Sequence, residues 1–366
     1  MTDQLPRHTF AGSPREIGEQ YGTACRELIH EHIGRLRERF EAAGISPALA
    51  AERSLEYREA VRAVSPDFDE ELIGLAGGAG LSLGEAYLLQ LRAEIYADLI
   101  GDLEASNECT TFAFEASATT DGGTLTGQNA DLPAMYGDLL IVAEFRQIGV
   151  PAILMVVPAG QISYIGINEL GLSAFANFLT CDGWRTGYPR YLFTRLALQQ
   201  TNLAAAIDVV EHLERASSRN LLLQGGGRAI DLENTPDRMT RLEPIEGRLF
   251  HSNHYLASEL QDAEKSDGDR LMNSEIRYQR MTELAGPGTA PVSLERLVEV
   301  MRDRHDPLNA ISVEAGDSHE FGEYMTVCGV IAQPEAALLW VSAGPPSSNP
   351  YRPVGFEGAE LPMRML

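Results

Sequence analysis

The sequence predicts an α+β protein, a four-layer αββα sandwich with a helical N-terminal leader segment. Three observations carry this expectation. Apolar residues recur at helical spacing up to about residue 105. At Cys109 the texture changes to short β-type runs. Beyond it strand runs, a helix pair, further strands and a second helix pair follow in that order, which fits two antiparallel sheets covered by helices. The expected division is 1–108 for the helical segment and 109–366 for the αββα segment, together one compact unit.

The helical segment starts at Ser13-Pro14-Arg15-Glu16, which combines an N-cap serine, proline at the first helical position and a glutamate three residues after the cap. Ile17, Tyr21, Ala24, Leu28, Ile29 and Ile33 continue it as one helix, with Cys25 as a packed thiol inside. Ser46-Pro47 starts a second helix. A third spans 70–76 and is stopped by Gly77-Gly78, and Ser82-Leu83-Gly84-Glu85 is another capping box.

The β-rich part opens with Cys109-Thr110-Thr111-Phe112-Ala113-Phe114 and turns at Thr120-Asp121-Gly122-Gly123. Glycine accepts the positive φ of such turns, so a second strand returns and brings Asp131 back towards Cys109. Strands are expected at 139–145, 152–157, 162–167 and 172–177, then helices at 189–199 and 203–215. Strands at 220–224 and 229–232 flank Gly225-Gly226-Gly227, and another begins near Leu249. The glycine link lacks Lys-Ser/Thr and a following helix, so it is not a phosphate loop. The charged stretch 262–268 is an exposed loop; helices at 269–284 and 293–302 and strands at 324–332 and 336–341 complete the order.

The chain has 366 residues, is 44% hydrophobic and carries a formal charge of −24. That balance disfavours nucleic acid and anionic membrane as partners. Cys25, Cys109, Cys181 and Cys328 lie far apart, which suggests neither a disulfide framework nor a zinc knuckle. The start lacks a basic-then-apolar signal segment, and no apolar run is long enough to span a membrane, so a cytoplasmic protein with reduced thiols is expected. No cofactor is indicated, and His251-x-x-His254 without a third convergent ligand gives no metal site.

Cys109 opens a strand, whereas a papain-like nucleophile sits at a helix N-terminus. A strand-opening cysteine suits a residue that becomes a chain terminus by self-cleavage after Glu108, because its own α-amine, with an unperturbed pKa of about 8, then serves as general base. The pattern equally fits a buried strand cysteine beside a routine hairpin. Asp131 could tune an amine at Cys109 or simply form a turn before Pro133. Asn253, in His251-Ser252-Asn253-His254-Tyr255, and Asn177, at another strand end, could donate to an oxyanion or cap turns. His254 offers a Cys–His alternative, and Cys181 lies in a loop.

These pieces together resemble the acyl-coenzyme A:6-aminopenicillanic acid acyltransferase (isopenicillin-N acyltransferase) family of N-terminal-nucleophile hydrolases. The resemblance rests on Phe10-Ala11-Gly12, Gly18-Glu19-Gln20-Tyr21-Gly22, Glu71-Leu72-Ile73-Gly74-Leu75-Ala76, Cys109-Thr110-Thr111, Gly127-Gln128-Asn129-Ala130-Asp131, Gly166 to Leu172 and Ser252-Asn253-His254. The chain also looks, more distantly, like bile-salt hydrolases and penicillin V acylases. The resemblance implies an αββα fold of the N-terminal-nucleophile type and a precursor that cuts itself between Glu108 and Cys109. It implies Cys109 as nucleophile and, through its amine, base, with Asp131 supporting the amine and Asn177 and Asn253 at the oxyanion hole. The fungal acyltransferase has glycine where this chain has Glu108, and an arginine near where this chain has Glu323, so its β-lactam specificity is not carried over.

The expected activity is that of a self-processing N-terminal-cysteine amidohydrolase or acyltransferase acting on a small N-acyl compound. Acyl-CoA is the alternative acyl donor, and the partner is the chain's own cleaved segment in a heterodimer, with further oligomers open. An intact Cys–His amidase and an uncleaved binding protein are the other readings.

Overall fold

The computed structural model describes residues 4–101, 109–317 and 324–366. The N-terminal part comprises strand β1 (Arg7–Gly12) and helices α1 (Pro14–Ala24), α2 (Arg26–Ala42), α3 (Pro47–Ser54), α4 (Arg58–Val64), α5 (Pro66–Ala79) and α6 (Leu83–Ile100). Both capping boxes form. Ser13 and Ser82 accept from the N–H of Glu16 and Glu85, whose carboxylates accept from the two serine N–H groups in return.

Three expectations are corrected. The segment 7–12 is not helical; it pairs parallel with a later strand, and Phe10 stacks on Tyr21 at 4.9 Å. The first helix breaks at Cys25, which ends α1 and starts α2. Helix α5 runs through Gly77-Gly78 and stops only at Gly80, where φ is 76°. The last correction has a packing cause. Helices α1 and α5 cross with their backbones in contact, so a Cβ on Gly18 would stand 2.0 Å from the Glu71 carbonyl oxygen and one on Gly74 would stand 2.2 Å from that of Arg15. Gly22 and Gly78 repeat the contact at 2.4 Å. Gly78 is a contact surface, and its helix continues past it.

From Cys109 onward the chain forms β2 (Cys109–Phe114), β3 (Leu125–Pro133), β4 (Leu140–Gln147), β5 (Ile153–Pro158), β6 (Ile165–Asn168) and β7 (Ser173–Asn177), then α7 (Leu192–Leu198) and α8 (Leu203–Glu211). Next come β8 (Arg219–Gly225), β9 (Arg228–Asn234), β10 (Met239–Leu242), β11 (Arg248–His251), α9 (Gly268–Ala285) and α10 (Leu294–Met301). The chain ends in β12 (Tyr324–Gln333), β13 (Leu338–Ser342) and β14 (Tyr351–Gly355). The eight-stranded sheet has the order β1-β4-β5-β6-β7-β8-β9-β10 and the six-stranded sheet β11-β2-β3-β12-β13-β14. Strands β1, β10 and β14, which the sequence pattern did not indicate, all lie at sheet edges.

The two sheets face each other through β2, β3, β7 and β8. Helices α1, α7 and α8 cover the larger sheet. Along β2, Ala113 joins the core between the sheets, while Phe112 and Phe114 join the core under α9 and α10, with Met281 and Leu297. The layer order is therefore αββα, as expected. No single helix among the described residues is long and apolar enough to cross a membrane.

Candidate active site

Cys109 is the first residue of β2 and pairs with Ala130 of β3. Strand alternation points its side chain between the sheets, with Thr111 and Ala113. Only 3% of the residue is exposed. Its backbone N–H donates to Asn253 Oδ1 at 2.8 Å. Its carbonyl oxygen accepts from Asn177 Nδ2 and from Arg277 Nη1, both at 2.8 Å. The first peptide of the strand is thus held from both sides, by β7 across the sandwich and by α9 over the outer face.

Asn253 follows β11, and Ser274 Oγ accepts from its backbone N–H at 2.7 Å. Its Oδ1 receives two donors, the Cys109 N–H and Arg277 Nη2 at 3.0 Å, which makes that end of the amide the oxygen. Its Nδ2 donates to the Phe178 carbonyl at 3.0 Å. The oxygen of Asn177 is similarly engaged, accepting from Thr111 Oγ1 at 2.7 Å and Asn220 Nδ2 at 2.9 Å. The structure therefore brings Asn177 and Asn253 to Cys109 at its carbonyl and its nitrogen respectively.

Asp131 comes back beside Cys109, but alternation turns its side chain to the other face of β3. Its carbonyl oxygen lies 4.0 Å from Cys109 Sγ, and its Oδ1 accepts from Thr326 Oγ1 at 2.5 Å. Thr326 borders a β-bulge in β12 opposite this point, where the register slips between Thr326 and Cys328. Glu108, on the far side of the expected cut, lies outside the described residues.

Burial, then the nearby Asp131 charge, push the Cys109 thiol up to about 12, and the opposing Arg277 charge does not offset them. In the intact chain this thiol is protonated at neutral pH. The histidines are engaged elsewhere. His251 lies between the Ser252 carbonyl at 2.8 Å and Glu233 Oε1 at 2.7 Å, two acceptors that call for hydrogens on both ring nitrogens. Burial acts to lower its pKa, but Glu233, the Asp231 charge and the Ser252 carbonyl together raise it above its ordinary value. Burial pushes His254 down to about 4, and its Nδ1 meets the hydroxyls of Ser274 at 2.8 Å and Ser252 at 3.1 Å. Among the described residues no hydrogen bond joins either imidazole to the Cys109 thiol. Cys25 and Cys181 are buried. No cluster of three or more metal-ligating side chains occurs among the described residues.

Sequence reasoning missed Arg277, Asn220 and Thr326. Arg277 is fully buried; besides Cys109 and Asn253 it donates to Thr110 Oγ1 at 3.0 Å and, through Nε, to Asn273 Oδ1 at 2.8 Å. Asn273, Arg277 and Met281 share one helical face, but two polar residues and one apolar residue do not mark that face as buried. A thiol, its own nitrogen on a fixed acceptor and polar groups converging on one strand end can support acyl transfer.

The sequence model of the acyl-coenzyme A:6-aminopenicillanic acid acyl-transferase family matches residues 118–347. The 40 kDa form of acyl-coenzyme A:6-aminopenicillanic-acid-acyltransferase from Emericella nidulans is 30% identical over 286 residues, 75% of this chain and 76% of that protein. Among solved structures, a conjugated bile acid hydrolase variant from Clostridium perfringens is 12% identical, with a TM-score of 0.49 over 69% of this chain and 94% of that one. Penicillin V acylase from Agrobacterium tumefaciens is 12% identical, with a TM-score of 0.37 over 69% and 80%.

Proposed function

This chain belongs to the acyl-coenzyme A:6-aminopenicillanic acid acyl-transferase family, and from that premise we propose that it is a self-processing enzyme whose N-terminal cysteine, Cys109, cleaves a small N-acyl compound through an acyl-enzyme. The observation that carries the reading is the hold on the Cys109 main chain. Its nitrogen sits on Asn253 Oδ1 at 2.8 Å while its carbonyl is pinned by Asn177 and Arg277. An amine generated at that nitrogen is oriented before it exists.

In maturation the Cys109 thiol adds to the Glu108 carbonyl carbon, and the C–N bond breaks as the thioester forms. Water then releases the Glu108 carboxylate and leaves a free amine on Cys109. That amine, neutral above its pKa, takes the thiol proton as Sγ attacks the substrate carbonyl, and returns it to the leaving nitrogen. Asp131 orients the amine, and the Nδ2 of Asn253 stabilises the oxyanion together with Asn177. Water as acceptor gives amide hydrolysis. An amine acceptor with an acyl-CoA donor gives acyl transfer, the chemistry in the Emericella nidulans relative's name.

The test is selective. With the thiol masked as a disulfide, the terminal amine is blocked and the thiol then released. The reading expects activity to vanish. An active amine-blocked enzyme, or one killed by His254→Ala with folding and cleavage intact, would move the base from the amine to a histidine.

A further inference from the structure

Beside the Cys109 site the fold buries two arginines, Arg190 and Arg219, with in-plane donors left unmet. With Arg92, whose Nη2 donates to the Tyr191 hydroxyl at 2.9 Å, they surround the Tyr191 ring at 5.5 Å (Arg92), 5.2 Å (Arg190) and 5.0 Å (Arg219) from its centroid. Arg190 is 1% exposed, and among the described residues its Nε, Nη1 and Nη2 make no hydrogen bond. Among the described residues Glu94 alone pairs with it, and loosely, at 3.9 Å through an oxygen that already accepts from Ser217 Oγ at 2.8 Å. The rings of Phe178 at 4.1 Å and Trp184 at 4.9 Å cover the guanidinium face. Face contacts stabilise the charge but leave the in-plane N–H groups unmet.

Arg219 is 4% exposed, and among the described residues its Nε also makes no hydrogen bond. Burial, with the like charge of Arg190 adding to it and Tyr191 opposing, lowers its pKa to about 10. Burial would raise the Tyr191 phenol, yet the three guanidiniums outweigh it and hold the pKa below its ordinary value. Three guanidiniums against the single carboxylate of Glu94 leave the cluster with an excess of positive charge, in a chain of net charge −24. By contrast, Arg195 has a close carboxylate, Glu71 at 2.6 Å, and Arg277 has the acceptors described above.

The cluster adjoins the nucleophile. The Phe178 ring lies under Arg190, the Phe178 carbonyl accepts from Asn253 Nδ2, and Asn253 Oδ1 holds the Cys109 nitrogen. We infer that Arg190 and Arg219 form a subsite for an anionic group, a carboxylate or phosphate, carried by the compound that Cys109 attacks. Its link to substrate rests on the reading of Cys109 as nucleophile. The unmet in-plane donors of Arg190 match the paired oxygens of such a group.

The test reads binding without turnover. Mature protein is titrated with phenylacetate, with its neutral counterpart phenylacetamide and with inorganic phosphate at fixed ionic strength, following tryptophan fluorescence and heat. At least one anion should bind about tenfold or more tighter than the amide, and the tighter of the two identifies carboxylate or phosphate. Arg190→Met and Arg219→Met should each weaken that anion about tenfold or more, leave the amide unchanged and not lower the melting temperature. Arg190→Lys, which keeps the charge but not the planar fork, covers the case in which the Met variant fails to fold, and should also weaken the anion. Anion affinity no greater than that of the amide, unaltered by the substitutions, or absent for both anions overturns the subsite. So does a melting temperature that falls in Arg190→Met while anion binding stays, which would make Arg190 a structural partner of Glu94. Anion binding through these arginines in a protein that cleaves no amide would instead leave the subsite standing and remove the amidase reading.

Discussion

At the scale of single residues, the proposed mechanism gives the two ends of the Asn253 amide separate tasks. The oxygen accepts from the Cys109 N–H at 2.8 Å, and the nitrogen is proposed to donate to the oxyanion. Asn253→Ala in cleaved enzyme should lower kcat by about 10²–10³-fold, and Asn253→Asp should be at least as harmful, because a carboxylate would face negative charge; steady-state kinetics on folded variants check both. His254→Ala should keep most activity, as its ring is bound to serine hydroxyls. With an amine as base, acylation requires the neutral form, so kcat/KM should fall as pH drops through the amine's pKa, unperturbed at about 8. A profile flat down to pH 5 would exclude the amine. Cys109, Asp131, Asn177 and Asn253 stood out in the sequence as chemically capable residues near strand ends and turn signals, and the structure groups them around the start of β2, while their roles belong to the proposal above. Arg277 did not stand out, since Ser274-Glu275-Ile276-Arg277-Tyr278-Gln279-Arg280 reads as an ordinary charged helix surface. Only the docking of α9 over β2 shows which of its arginines points inward.

At the scale of elements, the clearest correction concerns glycine. In Gly74-x-x-x-Gly78 and Gly18-x-x-x-Gly22 the missing side chains let α5 and α1 touch, and a local rule that reads Gly-Gly as a helix stop misses a partner distant in sequence. Gly74→Ala would place Cβ 2.2 Å from the Arg15 carbonyl oxygen and should force the helices apart. A loss of about 1–3 kcal/mol in denaturant unfolding is expected, and unchanged stability would contradict the close crossing. The strands that escaped the sequence reading fail for a different reason. β1, β10 and β14 are edges, and β10 is only partly buried along its length, so it shows neither a continuous apolar run nor a sharp alternation. Central strands such as β5 and β12, buried along nearly all their length, were legible.

At the scale of the whole molecule, the segment ahead of Cys109 is built into the sandwich. β1 completes the eight-stranded sheet against β4. The Tyr21 hydroxyl donates to the Gln161 carbonyl at 3.0 Å and accepts from the Gly160 N–H at 2.8 Å. Glu71 pairs with Arg195 at 2.6 Å, both buried. The two chains produced by cleavage should therefore co-elute under native conditions and separate only in denaturant. Glu71→Ala, which strands the Arg195 charge, should cost about 3–5 kcal/mol and loosen the pair, as native mass spectrometry would show; a pair unaffected by that change would make the ion pair dispensable to assembly. All of this depends on Cys109 becoming a chain terminus, and the intact mass of protein matured in a purified system, beside its Cys109→Ala variant, tests that most directly. The account predicts two chains from the wild type, the larger beginning at Cys109, and one uncut chain from the variant. A wild type that remains a single chain with Cys109 internal would contradict it.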